Sequence, residues 1–219
     1  MRGGLLSRQT LARERGRGRE RGQDMSTLEQ TVTDTLTVKA SDLLTLLEGA
    51  STHADKGDLR SLSSVQLTAG EGYLTARATD RYRLIEGKLE LEGGQLAPSL
   101  IALDDVKRVI ALAKSMKMAL VTLNRLGNLL TVSVSGSAVT IQLLDDNYPA
   151  TFDDLLNKSE RAELGEIAFN PALFADYAKI AGKGNAVRVE FTGDRKPFII
   201  HLPAKTVAWR ALLMPMRVI

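Results

Sequence analysis

The sequence predicts an α+β fold built from three βαβββ units, and three observations carry that reading. Short stretches with alternating apolar residues recur along the chain, each group led by one helix-length segment. Turn formers separate these stretches at hairpin-like intervals. The order strand, helix, strands occurs three times between about Leu36 and the end of the sequence.

The first unit opens with a strand at Leu36–Val38 and a helix near Ser41–Glu48, with Ser41 or Asp42 as its cap and Gly49 as its stop. Strands around Val65–Thr68, Tyr73–Thr79 and Tyr82–Leu91 complete it. The second has a strand at Leu100–Ala102 and a helix from about Asp105 to Lys117, capped by Asp104. Its strands lie near Ala119–Leu123, Leu129–Val134 and Val139–Leu144, with Gly127-Asn128 and Gly136 as turns. The third starts with a strand at Glu166–Phe169. Asn170-Pro171 supplies an N-cap and a first-turn proline, and the helix runs to about Ala181 with Gly182 as its stop. Strands near Val187–Thr192, Phe198–Leu202 and Trp209–Met214 follow.

Composition narrows the class. The chain has 219 residues, 44% of them hydrophobic, enough for one large core or two small ones. It lacks an apolar run of membrane-spanning length and a signal-like N-terminus, so a cytoplasmic protein is expected. There is no cysteine, which removes disulfides, thiolate nucleophiles and cysteine-ligated metals. Residues 1–24 hold seven Arg against Glu14, Glu20 and Asp24, a net of +4, whereas the remainder carries −1. Residues 1–31 therefore read as a disordered Arg/Gly-rich extension, with Met25 as an alternative start. Attraction to DNA has to come from local placement of bases in the near-neutral remainder.

Two stretches resemble the bacterial DNA polymerase III beta sliding clamp family. Ala78-Thr79-Asp80-Arg81-Tyr82-Arg83-Leu84 is similar to the A-T-D-x-x-R-L segment of the family's middle domain, and Met214-Pro215-Met216-Arg217-Val218 to its closing M-P-M-R-L. Asn147-Tyr148-Pro149 resembles the aromatic-Pro segment before the last domain. The resemblance implies a DNA-clamp fold with antiparallel sheets outside and helices lining the DNA-facing side. It divides the chain into a full clamp domain at 32–156, like the family's middle domain, and a half domain at 163–219, like the C-terminal half of the last. The family has three domains of two units each, so a domain and a half have no counterpart here, and the form is shortened and phage-like.

The same resemblance implies a hydrophobic pocket for short Leu/Phe-containing peptides of a DNA polymerase and clamp loader. Thr79, Arg83 and Leu84 would form one wall, Pro149 the floor, and Leu212, Leu213, Met214, Pro215, Met216 and Arg217 the other wall. Methionines suit a groove that accepts varied side chains, and Arg83 and Arg217 offer cations at its rim. The family continues after its aromatic-Pro segment with basic residues, whereas this chain has Phe152-Asp153-Asp154-Leu155, of which Leu155 alone suits the groove. Double-stranded DNA would be held without sequence preference by Lys107, Arg108, Lys114 and Lys117 of the second helix, Arg125 in the following turn, and Lys179 and Lys183 of the third. A homo-oligomeric ring is expected, with no membrane contact.

Enzymatic readings fare worse. His53 and His201 stand in no metal-ligand spacing, Gly182-Lys183-Gly184 lacks the strand-to-helix context of a phosphate loop, and the paired aspartates sit at element ends. No catalytic residue, metal or cofactor is expected. The reading from another functional class is a non-encircling regulator that competes for clamp-binding motifs.

Overall fold

The first described strand does not join the three strands that come next in sequence. β1 (Thr33–Lys39) runs straight into α1 (Ala40–Ser51), and β2 (Ser64–Gly70), β3 (Tyr73–Thr79) and β4 (Arg83–Glu90) come next. The second unit repeats the order with β5 (Leu96–Ala102), α2 (Leu103–Lys114), β6 (Leu120–Leu126), β7 (Leu129–Val134) and β8 (Ser137–Gln142). A linker containing the short α3 (Phe152–Asn157) leads to α4 (Pro171–Ala181), β9 (Arg188–Glu190), β10 (Phe198–Leu202) and β11 (Val207–Leu213). β1 pairs antiparallel with β6 of the second unit, while β5 pairs antiparallel with β2 of the first. Each unit thus lends its leading strand to the other's sheet.

This computed structural model describes residues 33–146, 148–149, 152–157, 160–163, 166–193, 195–203 and 205–217. The expectations for residues 1–31 and for Asn147 and Val218 lie outside them. Two sheets result, one ordered β1-β6-β7-β8 and one ordered β5-β2-β3-β4-β11-β10-β9. The longer sheet crosses the boundary between the first and third units through the β4–β11 pair, and 31–219 form one compact unit. α1 supplies Leu43, Leu44, Leu46 and Leu47 to the core and α2 supplies Val106 and Val109, meeting alternate residues of both sheets. No helix among the described residues is long and apolar enough to cross a membrane.

Several expected boundaries move, each for a physical reason. Ser41 and Asp104 do not cap their helices. Lys39 and Ala102 occupy the N-cap positions without a side-chain bond, because distant carbonyls take the first N–H groups. Ala40 and Ser41 donate to Ala119 O and Lys117 O, and Leu103 donates to Ser63 O. α2 ends at Lys114, short of Lys117. Gly49 does not stop α1; it lies inside the helix because the Trp209 indole occupies the space a side chain would need. A Cβ at Gly49 would come 2.4 Å from Trp209 Cζ2, and one at Gly87 2.4 Å from Cζ3. The Glu166–Phe169 strand is reduced to one bridge between Ala168 and Met216. α4 begins and ends where expected: Asn170 Oδ1 accepts from Ala172 N at 2.9 Å, and Gly182 leaves the helix at φ 80°.

Candidate functional site

The segment Thr79-Asp80-Arg81-Tyr82-Arg83 folds as a self-bonded turn between β3 and β4. Asp80 Oδ1 accepts from the N–H groups of Tyr82 and Arg83 at 3.1 and 3.0 Å. The Thr79 hydroxyl donates to Arg83 O at 2.7 Å and accepts from Arg81 N at 3.2 Å. Arg81 takes the left-handed conformation at φ 77°, which turns the chain sharply. Tyr82 is thereby left 62% exposed, and its carbonyl accepts from Met214 N.

Arg83 points inward rather than to a rim, which corrects its expected role as a peptide-facing cation. Its Nε donates to Asp80 at 2.9 Å, and one terminal nitrogen donates to Leu173 O at 3.0 Å and Asp176 at 2.7 Å. The other donates to Thr52 O at 2.8 Å, so four of five donors are spent inside the protein. Burial alone would lower the Arg83 pKa, but hydrogen bonds to Asp176 and Asp80 outweigh it and the pKa is raised. The guanidinium therefore joins the turn, the end of α1 and α4.

Leu84 follows Arg83 and faces the opposite side of the sheet. There it meets Leu212, its register partner on β11, together with Ile199, with Leu156 of α3 and with Tyr148. Beside this small cluster lies a cavity of about 270 Å³ lined by Leu62, Thr79, Arg81, Tyr82, Arg83, Leu84, Pro149, Leu155, Pro197, Leu212 and Met214. Three sequence-distant stretches converge on it: the turn, the linker and the last strand.

Of the residues named from sequence, Thr79, Arg83, Leu84, Pro149, Leu155, Leu212 and Met214 line the cavity. Leu213, Pro215, Met216 and Arg217 do not. Leu213 is fully buried on the core face because successive strand residues alternate sides, and Met216 instead bonds Ala168 O through its N–H. Leu62, Arg81, Tyr82 and Pro197 were missed. Arg81 and Tyr82 fill the variable positions of the A-T-D-x-x-R-L pattern, so their place in the turn was the available signal.

The rest of that sheet face is polar and tightly paired. The Glu86 carboxylate, almost fully buried, accepts from Arg77 Nε and a terminal Arg77 nitrogen at 2.8 and 2.6 Å and from Arg210 at 2.8 Å. Burial would raise the Glu86 pKa, but the bonds from Arg210 and Arg77 prevail and lower it. Arg210 also donates to Asn157 of α3 at 3.0 Å, linking strand to linker.

The basic residues expected to meet DNA are dispersed. On α2, Lys107 and Arg108 pair with Asp104 and Asp105 one turn earlier, and Lys114 reaches Glu48 of α1 at 2.8 Å. Lys179 pairs with Asp176 on α4. Lys117 and Lys183 are exposed and make no ion pair among the described residues. Arg125 lies within β6 rather than in a turn, and bonds Gly127 O, Pro98 O and Ser99 Oγ. It is a structural tie between β6 and β5.

No protein-family model matches this sequence, and no curated protein matches it. Solved structures do. A DNA polymerase III beta subunit from Thermotoga maritima superposes with a TM-score of 0.72 at 16% identity, over 85% of this chain and 66% of that one. A DNA polymerase sliding clamp from Caulobacter crescentus gives 0.72 at 17% identity, over 89% and 69%. One from Pseudomonas aeruginosa gives 0.69 at 14%, over 84% and 67%. The chain therefore has the sliding-clamp fold and spans about two thirds of the length of these structures.

Proposed function

We propose that this sliding-clamp fold serves as a replication processivity factor, tethering a DNA polymerase to duplex DNA through a peptide docked in the cavity beside Leu84 and Leu212. The observation that carries this reading is the convergence of turn, linker and last strand on one largely apolar recess. At about 270 Å³ the recess suits one or two apolar peptide side chains better than a cofactor, whose pockets run from about 300 to 1,000 Å³. Met214, 41% exposed and flexible, adapts to different occupants. Leu155, on α3, offers a further apolar contact at the cavity. The role is topological and calls on no catalytic group.

Sequence-independent DNA contact falls to Lys107, Arg108, Lys114, Lys117, Lys179 and Lys183. Exposed ion pairs are worth only about 0–1 kcal/mol, so phosphates can recruit the paired bases. α1 has acidic Asp42 and Glu48 on its exposed side and no base, which favours weak contact and gives the competing reading its footing. In that reading the chain binds clamp-binding peptides without encircling DNA.

Fluorescence anisotropy with a labelled Gln-, Leu- and Phe-containing peptide tests the pocket. Saturable binding that weakens at least tenfold, about 1.4 kcal/mol, in Leu84→Ala with Met214→Ala is expected. Equal affinity of the folded variant, or no binding by wild type, would remove the pocket from the mechanism. Retention on circular but not linear DNA separates a tether from the non-encircling regulator.

A further inference from the structure

The mouth of the cavity carries one charged group that the surrounding protein holds only loosely. Of the lining residues, Arg81 and Arg83 alone are charged, and Arg83 is spent on Asp80, Leu173, Asp176 and Thr52. Arg81 is placed differently. Its side chain is 60% exposed, and the ion pair it makes among the described residues, to Asp55 Oδ2, is 3.9 Å long. An exposed pair of that length is worth little, so a better acceptor can draw the guanidinium away from Asp55. The cation expected at the rim of this recess is therefore supplied by neither Arg83 nor Arg217 but by Arg81.

The turn sets where this cation stands. Thr79 Oγ1 accepts from Arg81 N at 3.2 Å, and the backbone takes φ 77°, a conformation that Gly or Asn would adopt with less strain. Asp55 N donates to Leu62 O at 3.0 Å, so the carboxylate that Arg81 faces is bonded through its own backbone to a lining residue. The guanidinium thus lies toward the Leu62 side of the recess. Tyr82 and Met214, both exposed, stand together at another part of the mouth, where Tyr82 O accepts from Met214 N at 2.8 Å. The result is an apolar recess with a fork of N–H donors at one side.

We infer that the occupant of this cavity is a peptide with a carboxylate next to its apolar anchor, and that Arg81 selects it. The inference rests on the peptide-binding reading of the cavity and adds the chemistry of the ligand. A guanidinium offers donors in a planar fork that matches the two oxygens of a carboxylate, and a charge-assisted pair of this kind is stronger than a neutral hydrogen bond. An Asp or Glu side chain beside the anchor presents that group, and so does the C-terminal carboxylate of a peptide that ends at the anchor. Asp55 is the internal competitor. Its Oδ1 accepts from Gly57 N at 3.2 Å, which leaves Oδ2 facing Arg81. A neutral peptide leaves that pair in place and gains nothing from the cation.

Fluorescence anisotropy at low salt tests this with labelled, amidated peptides that carry one Leu-Phe anchor and either Asp or Asn directly before or after it. A second pair ends at the anchor, with a free or an amidated C-terminus. The full chain should bind at least one carboxylate peptide about fivefold tighter than its neutral counterpart, the gain shrinking as salt is raised. Which pair shows the gain tells a side chain from a chain terminus. Arg81→Gln should abolish the gain, and so should Arg81→Gly, which suits the left-handed turn, with circular dichroism showing both chains folded. Asp55→Asn keeps an acceptor for Gly57 while removing the competing charge, and should enlarge the gain. Equal affinity for each carboxylate peptide and its neutral counterpart, or a gain that survives both Arg81 variants, would overturn the inference and leave the peptide pocket standing. Saturable binding of none of the peptides would overturn the pocket reading and this inference with it.

Discussion

Arg83 and Asp176 lie 2.7 Å apart, and through this contact the wall of the apolar cavity is fastened to α4. The Arg83 side chain is 8% exposed and that of Asp176 19%, so the pair is largely removed from water and supplements three further Arg83 bonds.

Replacing Arg83 by Met should therefore destabilise the fold by about 3–5 kcal/mol, the cost of leaving one member of a buried ion pair alone. Arg83→Lys should recover little, since an ammonium cannot span Thr52, Leu173, Asp80 and Asp176 together. Urea denaturation of the three proteins measures both effects.

The seat of Trp209 leads to a second expectation. Gly87→Ala forces a methyl group into the indole and should cost about 1–3 kcal/mol by overpacking. Gly49→Ala meets the same ring but gains up to about 1 kcal/mol of helix propensity, so its loss should be smaller. Trp209 is the only tryptophan in the sequence, and its emission during urea unfolding follows both variants without a label.

His53 should make the stability of the protein fall in acid. Its ring is fully buried 4.9 Å from that of Tyr177, its Nδ1 is shared with Thr52 Oγ1 at 2.7 Å, and its Nε2 has no hydrogen-bond partner among the described residues. Burial, helped by the nearby Arg83 charge, pushes its pKa down to about 3 from 6.5. Below pH 6.5 the unfolded chain takes up a proton that the folded chain refuses until about pH 3. Stability should fall through that window by about 1.4 kcal/mol per pH unit from this residue. His53→Leu should remove that slope in a pH series of chemical denaturations, with the lost Thr52 bond adding only a pH-independent offset.

Glu86 acts in a lower window and by the opposite route. Its folded pKa is depressed, so its stabilisation is complete above the ordinary carboxylate range and disappears as pH falls through the folded value. Glu86→Gln should lower stability at pH 7 by about 3 kcal/mol, since Arg77 and Arg210 lose their shared anion, and the deficit should shrink in acid. The same denaturation series records it.

α4 was readable because its signals are local: Asn170, Pro171 and Gly182 each act on a neighbouring backbone group. β3, β7 and β10 were readable to the residue, since their alternation ends at turn formers. The starts of α1 and α2 were misread because their first N–H groups are satisfied by Ala119, Lys117 and Ser63, which no local pattern reveals. α3 was missed for a similar reason: Leu156 finds its burial only against Leu84, Ile199 and Leu212. The pocket stretches were legible from their resemblance, but the inward course of Arg83 was not, because Thr52 and Asp176 are remote in sequence. Periodicity tells which side of a strand is apolar and is silent on which sheet receives it.

The loan of β1 to the second sheet sets the order in which a growing chain can mature. Lys39 waits for Leu120 and Thr33 for Leu126, so the first unit leaves the ribosome with its opening strand unmatched and the edge of β2 bare until Leu96 to Ala102 arrive. Such distant pairings slow folding and leave hydrophobic strands exposed meanwhile. Truncation after β4 should accordingly yield an aggregation-prone fragment rather than a smaller stable protein, and maturation of the paired units belongs to the moment after β6 is made.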